Sequence, residues 1–410
     1  MTFLEKLEQF AELAVKVGVN IQKGQYLLIN TSTDTLEFTR LVVKKAYEAG
    51  AGRVQVNLTD ASFERAFYEH AAEAEFSRYP KWIVSQREEL IERKGALLWI
   101  EAEDPDLLAG IDVDRLSKQK KTEGAALKNY RKAVMNDEIA WSIIAVPSEK
   151  WAAKVFPDLS SNEQIPALWD AIFKTVRVGI ESDVVKLWHE HVANLEARAT
   201  LLNEKNYATL HYTAPGTDLK VDLPVGHIWQ TGSSKAPDGT IFIANMPTEE
   251  VYTLPAKYGV NGVVRNTKPL VYHGNIIDDF ILTFEQGKIV DSKAGVGNDL
   301  LQQLISADEG SKYLGEVALV PHQSPISSSN ILYYNTLFDE NASNHLAIGE
   351  AYPTCFKDGR TLSEEQLEKH GINVSMTHED FMIGSEEMNI DGILADGTVE
   401  PIFRNGNWAF

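Results

Sequence analysis

The chain has 410 residues, of which 44% are hydrophobic and 24% charged, with a formal net charge of −20. This composition excludes wholesale disorder, a collagen-like fibre and a disulfide scaffold, and the length is too great for one compact core, so two domains are expected. A single cysteine excludes an internal disulfide and a thiolate zinc cluster, and the apolar runs fall far short of the ~20 residues that span a bilayer.

Reading in chain order, the first half alternates helix and strand. Residues 2–17 put Phe3, Leu4, Leu7, Phe10, Leu13 and Ala14 at helical spacing, and a short apolar strand follows at 26–30. Asp34 is the expected cap of a helix reaching Gly50. A strand at 53–57, a long helix over 62–94, strands at 96–100 and 141–146 and a helix at 163–176 continue the pattern. Such alternation predicts an α/β N-terminal domain with a doubly wound, mostly parallel sheet. A helix over 183–206 then leads into short strands at 208–212, 219–223, 240–244, 262–272, 276–286 and 288–296, with turns at Gln286-Gly287 and His273-Gly274-Asn275. The second half is therefore expected to be α+β and rich in antiparallel strands. The expected division is 1–185 for the N-terminal domain and 186–410 for the C-terminal domain.

Charge is uneven along the chain: residues 1–200 carry a net −5 and residues 201–410 a net −15. An acidic surface repels phosphate backbones and anionic lipid, so neither nucleic acid nor membrane is an expected partner. The amphipathic N-terminus lacks a leader's apolar stretch, which favours a cytoplasmic location.

Several familiar chemistries are missing. There is no glycine-rich phosphate loop, no Gly-x-Ser-x-Gly elbow and no His-Glu-x-x-His helix. His189 and His191 are poor zinc partners, because residues i and i+2 diverge by about 200° around a helix. Cys355 reads as a small buried residue.

Four segments of the second half do concentrate metal-ligand types: Glu249-Glu250, Glu316 near the start of an apolar strand, Asp339-Glu340 through His345 and Tyr352, and His378-Glu379-Asp380. A lone acid on an apolar strand is costly to bury without compensation. His378 and Asp380, spaced i and i+2, fall on one face of a strand. Two imidazoles and several carboxylates suit two cations better than one tetrahedral zinc.

The strings Gly216-Thr-Asp-Leu219, Asn245-Met-Pro-Thr-Glu-Glu-Val251, Gly315-Glu316, Asn344-His-Leu-Ala-Ile-Gly-Glu-Ala-Tyr352 and Met376-Thr-His-Glu-Asp-Phe-Met-Ile-Gly384 resemble the aminopeptidase T / aminopeptidase S family of dinuclear metallo-aminopeptidases. The resemblance implies a cytoplasmic homodimer that removes N-terminal residues from peptides with broad specificity, using two divalent ions per subunit (zinc, cobalt or manganese). Position by position it implies Glu250, Glu316, Glu340, His345, His378 and Asp380 as metal ligands and Tyr352 as an active-site tyrosine. Amide hydrolysis would then use a hydroxide bridging the two cations, with Glu316 as the bridging carboxylate and Tyr352 donating to the oxyanion. Glu249 and Glu316 both remain open as the carrier of the proton to the leaving amine. The alternatives are another dinuclear hydrolase, acting on amides or phosphoesters, or a nonenzymatic metal- or peptide-binding protein.

Overall fold

The computed structural model describes residues 1–410 apart from 103, 105, 109, 182, 273 and 274, and apart from the side chain of residue 113. The turn expected at His273-Gly274 lies outside the described residues. The chain forms two compact units, one of Met1–His191 with Ser233–Pro247, the other of Val192–Gly232 with Thr248–Phe410. Among the described residues no helix is long and apolar enough to cross a membrane.

The first unit is built on a five-stranded parallel sheet in the order Asn245–Met246, Trp141–Ala145, Ala96–Glu101, Tyr26–Ser32, Arg53–Thr59. The central strands are runs of Leu, Ile and Ala buried on both faces, as helix-covered parallel strands must be. Arg53–Thr59 is one of the two edge strands and is only part-buried. The first helix, Phe3–Leu13, opens with a capping box between Thr2 and Glu5.

Two expectations here change. The helix expected over 62–94 is two helices, Ala61–His70 and Lys81–Glu92, joined through a 3₁₀ turn at Glu73–Ser77. Pro80 lacks an N–H and pushes its predecessor out of helical geometry, so it can start a helix but not sit inside one. Asp34 does not cap the next helix: it lies in a 3₁₀ turn, and the cap residue of Leu36–Glu48 is Thr35, whose hydroxyl bonds back to Ser32 O at 2.9 Å. The strand expected at 240–244 is present as Ile241–Ile243, paired to Ser233–Lys235, and an unexpected strand just after it, Asn245–Met246, adds a fifth parallel strand to the first unit's sheet.

The second unit holds an antiparallel sheet of nine strands and another of five. In the larger one, Asn275–Glu285 and Lys288–Val296 form a hairpin whose turn is Gln286-Gly287. The strand expected at 262–272 breaks into Val260–Arg265 and Leu270–Tyr272, because Asn266 and Thr267 turn their N–H groups to Phe280 O and Met382 O. The smaller sheet runs His378–Met382, His345–Gly349, Leu314–Leu319, Val251–Thr253, Gln230–Thr231. Alternation divides its faces. Val251, Val317, Leu319, Leu346, Ile348 and Phe381 enter the core shared with Tyr212, Leu219, Phe280, Phe284 and Phe403. Glu316, His345, Ala347, His378 and Asp380 project from the opposite face.

Candidate metal centre

Register creates the site. Ala347 pairs with Glu316 on one side and Asp380 on the other, so two acids flank a methyl group. Two residues along the same face, His345 precedes Ala347 and Gly349 follows it, with His378 opposite Gly349. Small residues in the middle of that face leave room beneath the four ligand-type side chains. Gly349 has φ 108°, and a Cβ there would meet Thr377 O at 1.9 Å, so no larger residue fits. The ladder shifts register between Leu314 and Glu316, and a Cβ on the intervening Gly315 would collide with Glu350 O at 2.1 Å. This bulge brings Glu316 opposite Ala347.

The carboxylate of Glu316 faces two ways. Its Oε1 lies 3.7 Å from His345 Nε2, and its Oε2 lies 3.5 Å from His378 Nε2. His345 Nε2 is also 3.2 Å from Glu250 Oε2, and His378 Nε2 is 3.6 Å from Asp380 Oδ2. Two ligand groups result, Glu250–Glu316–His345 and Glu316–His378–Asp380, sharing Glu316.

Each imidazole is oriented from behind. His345 Nδ1 lies 3.1 Å from Ser343 O and His378 Nδ1 lies 2.7 Å from Glu350 O. A carbonyl only accepts, so Nδ1 carries the proton and donates it, and Nε2 is turned toward the carboxylates.

The electrostatics are unbalanced. Glu250, Glu316 and His345 are buried, and among the described residues no lysine or arginine pairs with Glu250, Glu316, Glu340 or Asp380. Burial pushes Glu316 up to about 7 against the opposing attraction of His345. Burial disfavours a charged His345, but the carboxylates of Glu250 and Glu316 outweigh it and hold the imidazole well above its usual range. Asp380 Oδ1 is buried with no hydrogen-bond partner. Cations resolve all three conditions: they neutralise the carboxylates, replace protons on Nε2 and fill the open valence of Asp380. Carboxylate and imidazole together suit borderline divalent ions.

Glu340 falls outside the two tight groups. It begins a 3₁₀ turn, and its carboxyl is raised first by burial and then by Asp380 and Glu250, which places it beside the cluster. Its neighbour Asp339 turns elsewhere, accepting the N–H groups of Tyr333 and Asn335 at 2.8 and 3.0 Å. The Tyr352 ring lies 4.7 Å from the ring of His378. Burial, then Glu316 and Asp380, raise its hydroxyl well above the usual range, so it is a neutral O–H donor. Glu249 is buried, and its N–H donates to Asn341 Oδ1 at 2.8 Å. His189 and Glu190 lie on an exposed helix face, and Cys355 is buried and unpaired in any disulfide.

Sequence reasoning missed Tyr252, whose ring packs 6.2 Å from Tyr352 and whose hydroxyl is raised by burial and by Glu250 and Glu316. Its signal was present: Tyr252 alternates with Val251 and Thr253, two residues beyond a ligand-type acid.

A strand-borne cluster of carboxylates and imidazoles such as this can hold divalent cations. Residues 3–408 match the family described as thermophilic metalloprotease (M29), and the chain belongs to that family. It is 54% identical to aminopeptidase AmpS of Bacillus subtilis (strain 168) over all of both chains. It is 38% identical to aminopeptidase T of Thermus aquaticus over 99% of each. The solved structure of wild-type AmpT from Thermus thermophilus superposes with a TM-score of 0.94 at 35% identity, covering 100% of both chains. The enzyme is a metal-dependent aminopeptidase that acts on peptides through a divalent cation cofactor.

Proposed function

We propose that the enzyme is dinuclear, with Glu316 bridging the cations, Glu250, His345 and Glu340 completing one site, and His378 and Asp380 the other. The observation that carries this reading is the orientation of Glu316, whose two oxygens face different imidazoles. When bound, a pair of zinc, cobalt or manganese ions would acidify a water, polarise the scissile carbonyl and accept a neutral α-amine.

The chain's own groups supply the rest. Tyr352 donates its O–H to the carbonyl oxygen as negative charge develops there. Glu316 or Glu249 carries a proton to the leaving amine. Ser343 and Glu350 carbonyls hold the two imidazoles in the required tautomer throughout. Residues 186–410 are the catalytic domain of this reading, with 1–185 as a separate N-terminal domain. Broad side-chain specificity, a homodimer and a cytoplasmic setting complete it.

The test pairs two measurements. Dialysed, metal-reconstituted protein should hold nearly two cations per subunit; a value fixed at one in excess metal would end the dinuclear reading. An acetylated peptide should lose about 10³-fold or more in kcat/KM against its free-amine counterpart, because a blocked amine offers no lone pair. Equal values would rule out recognition of the free α-amine.

A further inference from the structure

The parallel sheet of the first unit carries a second, part-buried polar cluster, at the carboxyl end of Tyr26–Ser32, the strand between Ala96–Glu101 and Arg53–Thr59. In doubly wound sheets that end is where ligands lie. Asn30 pairs across the sheet with Asn57 and Trp99. Its Oδ1 accepts from Asn57 Nδ2 and from Arg87 Nη2, each at 3.1 Å. Asn57 is itself fixed by a reciprocal pair of bonds with Gln86 at 2.7 and 3.1 Å. Flipping the Asn30 amide would set its NH₂ against two donors, so the orientation is determined. Asn30 Nδ2 is thereby left buried with no partner.

Arg87 shares that condition. Its Nε and Nη1 are buried with no acceptor, its guanidinium lies 5.2 Å from the Tyr130 ring centre, and among the described residues no carboxylate forms an ion pair with it. Ser32, two residues past Asn30 and on the same strand face, has a buried Oγ without a partner. The hydroxyl of Tyr130 is buried and unpartnered as well. The nitrogens are donors only, the hydroxyls can donate, and one of the groups is a permanent cation. A buried guanidinium without counter-charge is costly. The cluster lacks an acceptor that is also an anion.

We propose that this cluster binds a small oxyanion, the carboxylate or phosphate group of a small molecule, with Arg87 supplying charge and Asn30 Nδ2 and Ser32 Oγ completing the cradle. It belongs to the first unit and shares no residue with the metal centre of the second.

The test follows the melting midpoint of the full-length, metal-loaded enzyme in inorganic phosphate and in acetate, against chloride at matched ionic strength. The wild type should rise by about 2–4 °C in at least one of the two anions, and the arm that responds identifies the group. Arg87→Gln should abolish the rise while retaining peptidase activity. Asn30→Asp is the second variant and guards against misfolding of the first. It gives Arg87 an internal carboxylate, so it should raise the midpoint in chloride and remove the anion response. No response of the wild type to either anion would overturn the proposal. So would an equal response in wild type and Asn30→Asp, which would assign the anion to another site.

Discussion

Two polar clusters in this chain are unbalanced in opposite senses. In the second unit, carboxylate oxygens outnumber everything that can donate to them: Glu316 serves two imidazoles at once, and Asp380 Oδ1 has no donor. In the first unit, N–H and O–H groups outnumber acceptors: Arg87 Nε and Nη1 and Asn30 Nδ2 have none. Burial removes water as the default partner, so the sign of the imbalance specifies the missing ligand. An excess of acceptors calls for cations, and an excess of donors calls for an anion.

The largest effect is expected at the shared carboxylate. Glu316→Gln keeps the shape but removes the charge and replaces one oxygen with a donor, so kcat/KM should fall by about 10³-fold or more. Glu190→Gln, on the exposed helix face, should stay within about threefold, as a surface change does. Equal losses in the paired assays would mean that the acceptor-rich cluster is not the reacting site.

Adjacent residues of one strand should then behave differently. Leu346 is wholly buried in the hydrophobic core, so Leu346→Ala should cost about 2–5 kcal/mol in denaturant unfolding while cation stoichiometry holds. Ala347 points the other way, between Glu316 and Asp380. Ala347→Leu should lower cation affinity by about 10–100-fold, the range seen when a ligand's supporting shell is disturbed. Isothermal titration separates the two variants. Similar metal affinities in both would show that the face assignment is wrong.

Why part of this was legible beforehand and part was not follows from the same alternation. Glu316 stood out as one acid in an apolar run, and His378 and Asp380 shared a strand face, because both signals are local. The doubly wound N-terminal sheet and the antiparallel second half were legible for the same reason. Register is not local. Nothing in residues 314–319 or 345–349 alone says that Ala347 sits between two acids, or that Glu340 stands outside the tight groups while Asp339 turns to Tyr333 and Asn335. Asn245–Met246 joining a sheet built from residues 26–145 is the extreme case, a pairing across a hundred residues. The donor cluster escaped notice because Arg87 looks like any helix-surface arginine until Asn30, itself fixed by Asn57, is seen to hold it.

The smallest effect is expected where the polar groups balance. Glu400 accepts from Lys205 Nζ at 2.8 Å through Oε1 and from the Tyr207 hydroxyl at 2.8 Å through Oε2. Charge and hydrogen bonds close within the triad, so it calls for no ligand. Those bonds, with the hydroxyl and ammonium both donating, hold the Glu400 carboxyl below its ordinary value of 4.5. A carboxyl lowered in the folded state stabilises above the unfolded value and loses that contribution as pH falls through the folded one. Glu400→Gln should therefore lower the melting midpoint slightly at neutral pH, and the difference from wild type should vanish in acid, below the folded value. Cation stoichiometry and any anion response should match the wild type in the same preparations. A change in either would mean that hydrogen-bond balance is a poor guide to where this chain binds ions, and the contrast between its two clusters would lose its force.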